Sequence, residues 1–151
     1  MEATRLSRYK IAALPVTAID HHWPNLVPII NDVVSHSYGE ATSEVAYEQM
    51  KLGNLLTLIV LDDISIIAVA LLEIRTFDTG VKALHIPVFG GKNMEEWADD
   101  MMDVLHALAR DFGCTQLRGV GARKGWIRRL QHKDYGWKEL NVTIGCDVKS
   151  K

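Results

Sequence analysis

The chain has 151 residues, 48% hydrophobic and 24% charged, with a formal net charge of -2. That length suits one domain, 1-151, around one core, and the near-neutral charge excludes a global pull toward nucleic acid or membrane. No run approaches the roughly 18 consecutive apolar residues of a spanning helix, and the opening MEATRLSRYK lacks the apolar stretch of a secretion signal, so no membrane contact and a cytoplasmic location are expected.

Tyr9 to Val16 reads as a first strand, closed by Pro15. Asp20 is positioned to cap a helix running to about Ser35. Leu26, Ile29, Ile30, Val33 and Val34 give that helix its apolar spacing, and Pro28 is expected to kink or delay it. Thr42 reads as the N-cap of a second helix and Gly53 as its C′ residue. Leu55 to Leu61, Ile64 to Arg75 and Val81 to Phe89 are apolar runs with short connections, which predicts an antiparallel meander. Ile64 to Ile74 is apolar on both faces, so this strand is expected at the centre of the sheet.

Asn93 opens the clearest helix, with Glu96 at the capping-box position. Met94, Trp97, Met101, Val104, Leu105, Leu108 and Phe112 form one stripe, and Gly113 ends the helix. Cys114 to Val120 follows as a strand. A crossover helix precedes it, so a parallel pairing is expected. Lys124 to His132 is a short amphipathic helix and Trp137 to Val148 a last strand. Cys114 and Cys146 each lie in a strand-like run. They read as buried free thiols, with a disulfide between them left open because sequence does not fix their distance.

The order strand, two helices, three-strand meander, helix, strand, helix, strand resembles the GNAT acyltransferase fold. Gly136-Trp137 resembles the Gly-aromatic pair that follows the fourth helix in that family. Arg123-Lys124-Gly125-Trp126, Leu130 and Gly136-Trp137 together also resemble phage-encoded GNAT-like proteins, some of them virion components. The resemblance implies an α/β fold, a mixed, mostly antiparallel sheet flanked by helices. It further implies a host-cytoplasmic or virion-associated protein.

The family's acyl-CoA site is a loop of the form Gln/Arg-x-x-Gly-x-Gly/Ala, whose backbone N–H groups bind pyrophosphate at a helix N-terminus. Here that place holds Gly90-Gly91-Lys92-Asn93, with a different spacing and no Gln or Arg ahead of it. Arg123 and Lys124, beside Gly119, Gly121 and Gly125, are the other candidates for an anion contact. Glu95, Glu96, Asp99 and Asp100 crowd the first two helical turns. They suit the helix dipole but repel a pyrophosphate.

The resemblance also implies a general base on the central strands and a tyrosine acid before the Gly-aromatic pair. The base candidates are Glu73 and His85. Glu73 reads either as a base with a burial-raised pKa or as a strand-end carboxylate facing water or pairing with Arg75. His85 reads as a hydrogen-bonded core histidine or a base. Tyr135 is the nearest tyrosine to the acid position, and it is out of register.

The expectation drawn from the irregular loop is a catalytically degenerate binding or virion-associated component with no cofactor. The alternative is an active N-acetyltransferase that uses acetyl-CoA. Residues 118–133 carry six bases and no acid, while 93–111 carry six acids against Arg110 alone. The basic stretch reads as a solvated face or as a contact for nucleic acid or an acidic surface around 123–133. The sheet edge after the last strand is expected to be open to a protein partner or a second copy. His21-His22 are neighbours about 100° apart on a helix, so no metal pair is expected.

Overall fold

The structure, a computed structural model, describes residues 8–37, 39–120, 124–132, 134–140 and 144–150. Five strands form one sheet: β1 (Tyr9–Leu14), β2 (Leu56–Asp62), β3 (Ser65–Thr76), β4 (Lys82–Gly91) and β5 (Gln116–Gly119), in the order β1-β2-β3-β4-β5. The first three pairings are antiparallel and β4–β5 is parallel. This is the expected meander followed by a crossover, with β3 at the centre. Helices α1 (Ile19–Val34) and α2 (Ser43–Lys51) precede the meander, α3 (Met94–Asp111) is the crossover, and α4 (Lys124–Leu130) follows β5.

The period-2 alternation of β3 divides the core. Ala68, Ala70 and Leu72 join Leu58, Val60, Leu84 and Ile86 beneath Trp97, Met101 and Leu105 of α3. Val69 and Leu71 join Ile59 and Val88 beneath Leu26 and Ile30 of α1 and Met50 of α2. Each apolar helix stripe thus covers one face of the same strand, which is why Ala68 to Leu72 of β3 have no polar side.

Several local readings are corrected. Asp20 lies within the first turn of α1 rather than at its cap. Its carboxylate accepts from the Tyr47 hydroxyl at 2.5 Å and the Lys51 ammonium at 2.7 Å, tying α1 to α2. Pro24 and Pro28 sit inside a continuous α1. Both are exposed and four residues apart, so the carbonyls that lose a donor lie on the watered side of the helix. Thr42 does cap α2, accepting from the Val45 N–H at 3.2 Å.

The last expected strand does not form among the described residues. Leu140, Ile144 and Val148 keep the alternation but stay exposed, Ile144 at 90% and Val148 at 96%. Gly145 and Asp147 disfavour a strand, and β5 supplies only four residues to pair with. Cys146 is therefore an exposed free thiol rather than a buried one, while Cys114 is buried and free.

Candidate functional site

The site begins with an irregularity in β4. Leu71 pairs with Val88, but Glu73 pairs with His85, so Leu72 alone faces both Ile86 and Pro87. This is a β-bulge, and Pro87, which has no N–H to give a ladder, stands in it. The extra residue inverts the alternation: Ile86 lies on the α3 face and Val88 on the α1 face. The β4–β5 ladder stops at the same point, with Ile86 opposite Gly119. Beyond it, among the described residues, Pro87 to Gly91 pair only with β3. The sheet therefore opens along one edge of β4, directly before the start of α3.

His85 and Glu73 lie beside this opening as cross-strand partners on the α1 face. His85 is buried, and its Nδ1 lies 2.9 Å from Glu73 Oε1. An ionised carboxylate only accepts, so Nδ1 carries the proton and Nε2 carries the lone pair. The same Oε1 accepts from Arg75 Nε at 2.9 Å. Burial, with the Arg75 and Arg118 guanidinia, pushes the His85 pKa below its ordinary 6.5, against the pull of Glu73. The ring is thus neutral near pH 7. The alternative readings of these residues merge: His85 is a hydrogen-bonded buried histidine, Glu73 pairs with Arg75, and the pair has the composition of an oriented base.

At the start of α3 the two glycines are required by their neighbours. A Cβ on Gly90 would lie 2.4 Å from Val33 Cγ2 of α1. Gly91 has φ +148, and its Cβ would lie 2.3 Å from Ala68 Cβ and 2.4 Å from the Ile67 carbonyl oxygen. Lys92 is exposed. Its N–H donates to the Ile67 oxygen at 3.0 Å, and its carbonyl accepts from Trp97 Nε1 at 2.7 Å. Asn93 does not cap α3 with its side chain. It takes a left-handed conformation, φ 59, and its amide reaches toward the Tyr9 hydroxyl at 3.5 Å.

Two of the four crowding acids are held sideways. Glu96 accepts from Tyr9 on β1, and Asp99 accepts from Tyr135. Tyr135 packs on the α3 core, on the opposite face of the sheet from His85, and burial together with Asp99 raises its pKa. The structure therefore brings Glu73 and His85 together and leaves Tyr135 apart from them. Arg123 and Lys133 lie outside the described residues, as does the side chain of Lys124, the first residue of α4. Of the basic stretch, Arg129 turns inward, its guanidinium 5.9 Å from the Tyr135 ring centroid.

An acyl-CoA has an amide-bearing extended arm between its thioester and its pyrophosphate. An open strand edge running toward a helix N-terminus fits that order, since the backbone can bind the arm as it would an added strand. Lys92, exposed and directly before α3, is the cation at the helix end of that edge. Sequence reading missed the bulge, although Pro87 within an apolar run marked it. It counted Arg118 only as one of the six bases of 118–133 and missed its place directly opposite His85 in the β4–β5 ladder. Among the described residues no cluster of metal-ligating side chains occurs, and no helix is long and apolar enough to cross a membrane.

No family model and no curated protein sequence matches the chain. Solved structures do. An aminoglycoside acetyltransferase from an uncultured soil metagenomic sample, solved with trehalose, aligns at TM-score 0.68 and 11% identity over 93% of this chain and 97% of its own. A predicted acetyltransferase from Clostridium acetobutylicum, solved with acetyl-CoA, aligns at 0.64 and 15% over 92% and 96%. The ribosomal-protein-alanine N-acetyltransferase of Brucella melitensis biovar Abortus 2308 aligns at 0.61 and 14% over 91% and 99%. These neighbours lend no support to the phage or virion expectation. With the strand order and crossover described above, they show that the chain has the GNAT acetyltransferase fold.

Proposed function

We propose that the chain is an acyl-CoA-dependent N-acyltransferase that uses acetyl-CoA. The observation that carries this reading is the neutral His85, oriented by Glu73 at the point where β4 parts from β5. The fold supports it, and so do the solved acetyltransferases that share the fold.

In this reading the free edge from Pro87 to Gly91 receives the amide-bearing arm. Lys92 and the start of α3 face the pyrophosphate. Acetyl-CoA supplies a thioester whose acyl carbon the amine attacks, forming the C–N bond and releasing the thiol. His85 Nε2 takes the proton that the acceptor's ammonium loses to free its lone pair for attack, and Glu73 holds the ring and stabilises the resulting imidazolium. The α3 carboxylates oppose an anion, so binding rests on the strand edge more than on the helix start.

A second reading is a GNAT-shaped binding component without catalysis. One observation favours it: neighbours of Gly90 and Gly91 account for both glycines without any ligand. Thiol release from acetyl-CoA, measured over a panel of amines, separates the two. Turnover that falls in His85→Gln supports the acyltransferase. Turnover unchanged in that variant removes His85 from the mechanism, and no release with any amine favours the binding component.

A further inference from the structure

The surroundings of His85 constrain what can approach it. The charges that act on its ring are Arg75, Glu73 and Arg118. Arg75 has its counter-ion, because Glu73 Oε1 accepts from its Nε. Arg118 has none among the described residues. Its Nε donates to the neutral Gln116 amide oxygen at 2.8 Å, and its guanidinium carbon lies 4.5 Å from the Phe77 ring centroid. The guanidinium is thus fixed at one nitrogen and stacked on an aromatic ring. Its two terminal nitrogens, the pair suited to a planar or tetrahedral anion, meet no carboxylate among the described residues. Arg118 stands opposite His85 in the parallel ladder, one residue before the sheet opens.

We propose that the amine acceptor at this site also bears an anionic group, a carboxylate or a phosphate, which Arg118 grips. The inference rests on the acyltransferase reading and adds the acceptor class. Two guanidinia stand against one carboxylate here, so a polycationic amine meets net repulsion at His85. An amine with its own anion supplies the missing counter-charge, and the bidentate contact holds its nitrogen beside the base. The acceptor is therefore a small zwitterionic or phosphorylated amine, unlike an aminoglycoside.

The test uses the full chain with acetyl-CoA and matched amines: alanine against alaninamide, O-phosphoethanolamine against ethanolamine, and one aminoglycoside. The anion-bearing member of at least one pair is expected to have a KM about tenfold lower, and the two pairs distinguish carboxylate from phosphate. Arg118→Gln is expected to bring that ratio to about one, and Arg118→Lys to restore part of it. Equal KM values within both pairs, or a preference for the aminoglycoside, would overturn the proposal while leaving the acyltransferase reading intact. If no amine is acetylated, that reading has failed, and binding alone decides here. The His85 ring resonances, followed by NMR without acetyl-CoA, are expected to shift saturably with an anion-bearing amine and not with its neutral partner. No shift in the wild-type chain would overturn the proposal.

Discussion

His85 has one carboxylate on Nδ1, and that contact sets its tautomer and leaves Nε2 to serve as the base in the proposed reaction. Replacing it with Gln is expected to lower kcat by roughly 10²- to 10⁴-fold while KM for acetyl-CoA moves little, as steady-state kinetics would show. The pH dependence follows from the direction of its pKa. The folded value lies below 6.5, so as pH falls through 6.5 the unfolded chain takes up this proton first. The stability linked to His85 is full above 6.5 and is lost as pH falls from there toward the folded value. The acid limb of kcat/KM is likewise expected below 6.5. A limb above 6.5 would contradict a burial-lowered histidine. At Gly91 the backbone, at φ +148, and the neighbouring Ala68 both refuse a side chain. Gly91→Ala is expected to destabilise the fold by about 1–3 kcal/mol, measured by urea unfolding, whether or not any ligand binds there.

At the scale of elements, α1 carries the plainest conflict between local preference and final structure. Two prolines lie inside it, and the helix forms because Leu26 and Ile30 are fully buried against β3 and β4. Packing therefore overrides propensity. Pro28 is exposed, so Pro28→Ala restores a backbone donor without disturbing the core. It is expected to stabilise the protein by about 1–3 kcal/mol, readable as a raised urea midpoint at unchanged slope. A loss of stability would mean that the proline ring itself packs. On the other face, Trp97 is buried and its indole N–H donates to the Lys92 carbonyl, fixing the turn into α3. That contact links the core to the placement of Lys92, the cation at the candidate pyrophosphate end.

Over the whole molecule, the elements with long apolar periods were legible in sequence: the meander, the central position of β3 and the α3 crossover all follow from spacing. The candidate base was legible as two separate residues, but not as a pair. That pairing depends on the register of β3 against β4, and the bulge at Pro87 sets the register. The Arg118 position depends likewise on a four-residue ladder that composition does not reveal. Trp137 to Val148 misled because alternation alone satisfies a strand pattern, while pairing also needs a neighbour of matching length. Leu140, Ile144 and Val148 stay in water, and β5 is the terminal strand of the sheet. Concentration-dependent self-association is expected by sedimentation, weakened in an Ile144→Lys, Val148→Lys double variant. A strictly monomeric wild-type chain would exclude that contact.

Calorimetric titration of the full chain with acetyl-CoA tests the acyltransferase reading most directly. Saturable micromolar binding, weakened in Lys92→Ala, is the expected result. No heat of binding at millimolar acetyl-CoA would contradict it and leave the GNAT fold here without its acyl donor.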